Sequence, residues 1–208
     1  MALTRANQFF KRLFDLTCSV LLLVALSPLV ILIAMAVKIT SPGEVFYRQQ
    51  RLGRNGEIFW MYKFRSMIPN AVNIGSGMFL EKDDPRITPV GKLLRKTSLD
   101  ELPQLLNIIR GEMSLVGPRP APLHHLDKYD AGQRRRLAVK PGITGWAQVR
   151  GRLALYWPER IQLDIWYVEN YSFWLDLRIL AETIPVVFSR RGGTAQEDRK
   201  EVDPFMKM

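Results

Sequence analysis

Between Leu16 and Val37 the chain carries no charged side chain, and Leu, Val, Ile and Ala dominate. Nothing else in the sequence restricts the fold so strongly. A helix rises about 1.5 Å per residue, so a run of this length can reach across a hydrocarbon core of about 30 Å. It is too long for a signal peptide, and no small-residue cleavage pattern precedes the next charged segment. One straight span is the simplest reading, but Ser27-Pro28 sits mid-run. Proline removes a backbone hydrogen bond and bends a helix, and the Ser27 hydroxyl is suited to a freed upstream carbonyl. Both flanks are also basic: Arg5, Lys11 and Arg12 before the run; Lys38, Arg48, Arg51 and Arg54 after it. Positive charge marks the cytoplasmic side, so both ends favour the same side. A helix that enters, breaks and returns satisfies both observations; the residues alone leave a spanning form open beside it.

Thirty Lys and Arg against twenty Asp and Glu leave a net charge of +10 over 208 residues. That balance favours anionic partners: nucleic acid, an anionic membrane surface or phosphorylated substrates. Cys18 is the only cysteine, which excludes an internal disulfide and reads as a small hydrophobe. No zinc-type spacing occurs, and the adjacent His124 and His125 read as surface or hinge residues rather than ligands.

The densest chemistry lies between Lys92 and Pro120. Two carboxylates, Asp100 and Glu101, stand between Arg95 and Arg119; Pro103 follows, then Leu105, Leu106, Ile108 and Ile109 at helical spacing. Proline suits a first helical turn, so the spacing predicts a helix with Asp100 near its N-cap and Glu101 just inside. Ser98-x-x-Glu101 spells a capping box in another register. The functional alternative is a phosphate site at an arginine-flanked helix start. Two carboxylates there would repel a phosphate unless a divalent cation bridged them, which points to magnesium. The local pattern leaves capping and catalysis both open.

Val45–Tyr47 and Ile58–Met61 predict short strands around a polar turn, Gly53-Arg54-Asn55-Gly56. Lys63 and Arg65 alternate with Phe64 and would share one strand face. The stretch from Pro69 to Ile87 reads as an irregular loop, a plausible lid, with Asp83-Asp84-Pro85-Arg86 exposed to solvent. Pro118 and Pro120 fix the backbone on either side of Arg119, pre-organising its guanidinium for phosphate. Arg134-Arg135-Arg136 reads as solvated helix surface. In the run from Lys140 to Arg152, the turns at Pro141-Gly142 and Gly145 bring backbone close to a ligand; Gln148 suits a base edge, and Arg150 and Arg152 suit phosphate. A purely structural turn accounts for the same residues. From Tyr156 the chain reads as helical and aromatic-rich, with Asp164 and Tyr167 on one face. Leu175–Phe188 predicts an apolar interfacial helix bent at Pro185, and the tail from Arg190 is polar.

The segments LxRxxSLDELPQLxNxxxGxMSxVGPRP, YKFRSM and PGITGWAQVRGR, with the Ser27-Pro28 break, resemble the bacterial sugar transferase family, the monotopic phosphoglycosyl transferases. The resemblance runs from about Phe10 to about Ser189. It implies a small α/β, mostly helical cytoplasmic domain with an N-terminal re-entrant helix-break-helix and interfacial amphipathic helices. The implied boundaries are 1–39 for the membrane hairpin, 40–189 for the catalytic domain and 190–208 for the tail. The implied activity transfers a phosphosugar from a UDP-sugar to undecaprenyl phosphate at the cytoplasmic face of a bacterial inner membrane. Mg2+ is implied as cofactor, and nucleic acid is not a partner. Asp100 would be the nucleophile and a metal ligand, Glu101 the base or charge partner. Lys63, Arg95, Arg119, Gln148, Arg152 and Asp164 would contact or order the substrate, with Arg150 at a variable position of the pattern. Direct transfer with the carboxylates only as metal ligands is the competing enzyme mechanism. A membrane-bound basic scaffold is the competing non-enzyme.

Overall fold

The structure, a computed structural model, describes residues 5–74, 84–151 and 155–188. The predicted lid region between 75 and 83, Arg152 and the tail from Arg190 therefore lie outside the described residues.

The apolar run forms two helices, α1 (Arg5–Ala25) and α2 (Ser27–Thr40), bent by 63° at the predicted break. No single described helix is long and apolar enough to cross a membrane. Pro28 occupies the first turn of α2, where its missing N–H costs nothing. The Ser27 hydroxyl donates to Val24 O at 2.8 Å, absorbing one carbonyl at the break.

Both helices are tied to the rest of the protein. Lys11 Nζ donates to Val116 O (3.0 Å) and Asp176 Oδ2 (2.5 Å). Arg12 donates to Ile108 O and Ile109 O, and Asp15 Oδ1 accepts from Leu115 N. On α2, Ile33 and Val37 lie one turn apart and pack with Phe64 and Leu94. The opposite faces stay bare: Phe9, Phe10, Leu13 and Leu21 on α1, and Ile31, Leu32, Met35 and Ile39 on α2 are exposed.

The predicted hairpin forms from β1 (Phe46–Leu52) and β2 (Ile58–Phe64), antiparallel, with Tyr47 opposite Lys63. Asn55 and Gly56 take positive φ in the turn, as an Asn-Gly pair readily does. The strand ends at Phe64, so Arg65 does not join Lys63. Arg65 instead bonds Ser41 O and Pro42 O at the end of α2.

Beyond the hairpin, Thr88 caps α3 (Pro89–Thr97) by accepting from Gly91 N, with Pro89 in its first turn. The next helix, α4 (Gln104–Arg110), ends on Gly111 at φ 86°. Arg12 completes that end by bonding its last carbonyls, a cation at the negative pole of the helix. Buried Asn107 docks α4 on β2: its Oδ1 accepts from Tyr62 N and its Nδ2 donates to Trp60 O. A short parallel pair follows, β3 (Ser114–Val116) with β4 (Gly142–Thr144). The remaining helices are α5 (Trp146–Arg150), α6 (Trp157–Glu169) and α7 (Phe173–Phe188), the last containing Pro185. The main core gathers Phe59, Met61, Leu105, Ile108, Val116, Trp146, Tyr167 and Ile179, with Phe14 of α1 packed against it.

Three expectations fail on burial. Asp84 is 1% exposed and ion-paired with Arg86, whose guanidinium also donates to Ala71 O and Ile74 O. The pair closes this loop inward because the carbonyls it satisfies face the interior. Arg136 is not solvated surface but 1% exposed, and His125 is fully buried against Tyr129 and Trp157. The aromatic set also divides. Trp157 and Tyr167 are core, whereas Trp166, Phe173 and Trp174 are exposed.

The placement of α3 depends on one close approach. A Cβ at Gly91 would fall 1.9 Å from Ser66 O. Gly91→Ala should therefore force α3 off the end of the hairpin at a cost of about 1–3 kcal/mol, read as a lower denaturant midpoint. Gly132→Ala, at an exposed site with ordinary φ, should change it by no more than about 0.5 kcal/mol.

Candidate active site

The carboxylate pair does not cap a helix. Ser98 adopts φ 58° and ends α3, its N–H donating back to Arg95 O and Leu94 O. Leu99–Glu101 then form one 3-10 turn, and α4 begins only at Gln104, with no side-chain cap. The capping box and the N-cap placement are both absent because Ser98 closes the preceding helix instead of opening the next. Asp100 and Glu101 are thereby turned toward the hairpin.

Glu101 is held by two cations from separate segments. Lys63 Nζ donates to Glu101 Oε1 at 2.7 Å, and Arg119 Nη2 donates to the same oxygen at 2.9 Å. Burial alone would push this carboxyl up, but Arg119 and Lys63 outweigh it and hold it well below the usual carboxylate range. The Arg119 side chain remains 41% exposed.

Asp100 differs. It is 8% exposed, yet among the described residues no side chain or backbone group bonds its carboxylate. Burial pushes its carboxyl up; Lys63 opposes this, Glu101 adds to it, and Arg95 and Arg119 pull it down without cancelling the rise. Arg95 is steadied from behind, its Nε donating to Ser66 Oγ at 2.7 Å. The centre thus holds one committed carboxylate and one uncommitted one within a ring of cations.

One further cation went unread as a site residue in the sequence, where Arg51 counted only as part of a basic flank. Its position on β1 brings it beside Arg119 and Glu101. Burial, then the charge of Arg119, pull its pKa down to about 10. The available signal was the alternation Tyr47, Gln49, Arg51, which puts all three on the strand face that also carries Lys63.

Beneath Arg119 lies a buried polar network. Arg136 donates through Nε (3.0 Å) and Nη2 (2.5 Å) to Asp164 Oδ2, through Nη1 to Tyr129 Oη, and through Nη2 to Arg119 O at 2.9 Å. Asp164 is 1% exposed and orders a cation, Arg136, which in turn grips the backbone of Arg119. Tyr129 Oη, which accepts from Arg136, also lies 3.0 Å from His125 Nδ1.

The glycine-rich run is a packing device as well. A Cβ at Gly142 would meet Gly117 N at 2.1 Å, and one at Gly145 would meet Gly117 O at 2.1 Å, so the run lies directly against the segment leading to Arg119. Gln148 keeps both amide atoms buried with no partner among the described residues. No hydrogen bond links it to the carboxylates. Arg150 lies 3.9 Å over the Trp146 ring and 3.8 Å from Glu182. Lys63, Arg95, Asp100, Glu101 and Arg119 are therefore brought together, Asp164 supports them from below, and Gln148 stands apart. No group of three or more His, Cys, Asp or Glu able to hold a metal occurs among the described residues.

A family model described as bacterial sugar transferase matches residues 6–190. The chain is 46% identical over 182 residues to an uncharacterized sugar transferase, EpsL, of Bacillus subtilis, covering 88% of this chain and 89% of that protein. It is 43% identical over 203 residues to an undecaprenyl-phosphate galactose phosphotransferase of Salmonella typhimurium, with 90% of this chain and 42% of the relative covered. To an undecaprenyl-phosphate glucose phosphotransferase of Komagataeibacter xylinus it is 46% identical over 196 residues, covering 86% of this chain and 36% of the relative. The chain thus spans less than half the length of the two phosphotransferases. A match over nearly all of the described residues, a range that includes Lys63, Arg95, Asp100, Glu101 and Arg119, establishes that this chain belongs to the bacterial sugar transferase family.

Proposed function

We propose that this protein is a phosphoglycosyl transferase that moves a sugar phosphate from a UDP-sugar to undecaprenyl phosphate, releasing UMP. The observation that carries this reading is the uncommitted, buried Asp100 carboxylate beside Glu101, ringed by Lys63, Arg95 and Arg119. The names of the two phosphotransferases support the same chemistry and the same lipid carrier.

In the first step an Asp100 oxygen attacks the β-phosphorus of the donor, and the bond from that phosphorus to the bridging oxygen breaks. UMP leaves with the electron pair, and the phosphosugar is joined to Asp100 as an acyl phosphate. In the second step an oxygen of undecaprenyl phosphate attacks the same phosphorus and the acyl phosphate bond to Asp100 breaks. This restores the carboxylate and yields the polyprenyl diphosphosugar. Lys63, Arg95 and Arg119 stabilise the charge that builds on the phosphoryl oxygens in both steps. Glu101, held well below the usual carboxylate range by Arg119 and Lys63, is a poor proton acceptor near neutral pH; it orients those two cations instead.

One Mg2+ fits this donor set. Magnesium is commonly held by one or two carboxylates, with substrate phosphates and water completing its shell, and Asp100 offers such a carboxylate. Bound there, it would neutralise charge on the donor diphosphate.

The exposed apolar faces of α1 and α2, with Trp174 and Ile184 of α7, support attachment to a membrane. Phe10, Leu13 and Phe173 of that surface also line a groove of about 500 Å³ with Phe14, Cys18 and Tyr171. Lys11 near the start of the helix pair and Val37 near its end are docked on one body, so both ends belong on one side. We therefore read α1–α2 as re-entrant, with the site at the cytoplasmic face of a bacterial inner membrane, where nucleotide sugars are available.

Incubation with donor alone should add the mass of a phosphosugar to the intact chain and release UMP. Asp100→Asn should abolish both; turnover without an adduct would favour direct transfer, and no UMP release with any UDP-sugar would sink the enzyme reading. Glu101→Gln should slow turnover, roughly 10²-fold or more, because Lys63 and Arg119 lose their common anchor.

Arg119→Lys should recover only part of the activity lost in Arg119→Ala, since a point charge does not reproduce a two-pronged donor. Full recovery would mean that Arg119 supplies charge alone.

Topology is tested with Cys18→Ser carrying Thr4→Cys as the single thiol. In intact cells that thiol should resist labelling from the periplasm, and Ser27→Leu with Pro28→Leu should expose it. Periplasmic labelling with Ser27-Pro28 intact would rule out the re-entrant form.

A further inference from the structure

Arg51 has more donors than partners. Its Nη2 donates to Gln49 Oε1 at 2.7 Å, its only acceptor among the described residues, and its Nε is buried with no acceptor. Two segments bring it to Arg119. Leu52 N donates to Ala121 O at 2.9 Å, zipping the end of β1 to the chain two residues past Arg119. The Arg119 guanidinium is close enough for its charge to disfavour that of Arg51, with Glu101 as the carboxylate they share. Glu101 meets part of that charge, and an incoming anion would meet the rest.

Charge sets the size of that anion. Lys63, Arg95, Arg119 and Arg51 face two carboxylates, Asp100 and Glu101, which leaves two positive charges in excess. A phosphate dianion matches that excess, and two guanidinium forks match its oxygens. Position sets which phosphate. Lys63, Arg95 and Arg119 all act on Asp100, whereas Arg51 acts on Arg119 and Glu101.

Resting on the function proposed above, we infer that Arg51 and Arg119 form a two-arginine clamp for a phosphate other than the one Asp100 attacks, with Arg51 as a direct binding residue. That phosphate is the α-phosphate of the nucleotide, a dianionic monoester once UMP has been released, or the dianionic phosphate of the lipid acceptor. Arg119 spans the attacked phosphorus and this neighbour, and Arg51 grips the neighbour alone.

The test uses the full chain in detergent with three probes: UMP, farnesyl phosphate and uridine. Arg51→Gln should weaken one of the two phosphate compounds roughly tenfold or more and leave uridine unchanged. Loss for UMP assigns the clamp to the nucleotide; loss for farnesyl phosphate assigns it to the acceptor. Arg51→Lys should recover part of the loss. Affinities are read well below each variant's thermal midpoint, so a change in stability does not mimic a loss of binding. The unliganded Arg51→Gln protein should melt at the wild-type temperature or above it, because the repulsion with Arg119 is gone. Wild-type binding that Arg51→Gln leaves unchanged overturns the clamp alone, and a lowered melting temperature alongside it would make Arg51 structural. A wild-type protein that binds neither phosphate compound overturns both the clamp and the function on which it rests.

Discussion

The site depends on one oxygen. Glu101 Oε1 accepts from Lys63 on the hairpin and from Arg119 on the proline-flanked segment, and so joins three parts of the chain that are remote in sequence. A buried carboxylate is tolerable only when its charge is met, and a pair of cations meets it here. Those cations are thereby fixed in place before any substrate arrives. Asp100, one residue earlier on the same 3-10 turn, inherits the positive surroundings without being bonded by them. An electrostatically prepared but chemically uncommitted carboxylate is what attack on phosphorus requires.

That bridge is supported by two layers of polar contacts. Asn107 pins α4 to β2 through backbone groups, which fixes the distance between the turn and Lys63. Arg136 fixes Arg119 from below by gripping its carbonyl, and is itself charge-balanced by Asp164. Both supports are buried, so they act by shape and not through solvent-screened charge. The glycines at 117, 142 and 145 serve the same end by letting backbones meet at distances that no side chain would permit.

The helix pair is not an appendage. Lys11, Arg12 and Asp15 reach past the surface of α1 to carbonyls, an amide and a carboxylate of the domain. Arg12 also serves as the C-terminal cap of α4, whose other end follows the turn that carries Asp100 and Glu101. The apolar helix pair and the charged site therefore share one frame.

Much of this was legible in the residues themselves. The Ser27-Pro28 break and the Asn-Gly hairpin turn are local, because each follows from the φ preference or the missing donor of one or two residues. Alternation put Lys63 on one strand face, and adjacency alone joined Asp100 to Glu101, whereas the pairing of β1 with β2 was needed to bring Arg51 to the face of Lys63. What the residues could not decide is which cation meets which anion. Arg134-Arg135-Arg136 reads as one solvated run, yet only Arg136 is buried, because only it meets Asp164, Tyr129 and Arg119 O across three other segments. Asp84 turned inward for the same reason, and Ser98 closed one helix when its spacing advertised the start of another. A charged side chain has no preferred side until its partner is placed, since its burial energy is set by that partner and not by its own chemistry. Local conformation is a property of neighbours in sequence; charge pairing is a property of neighbours in space, and only the tertiary structure supplies those.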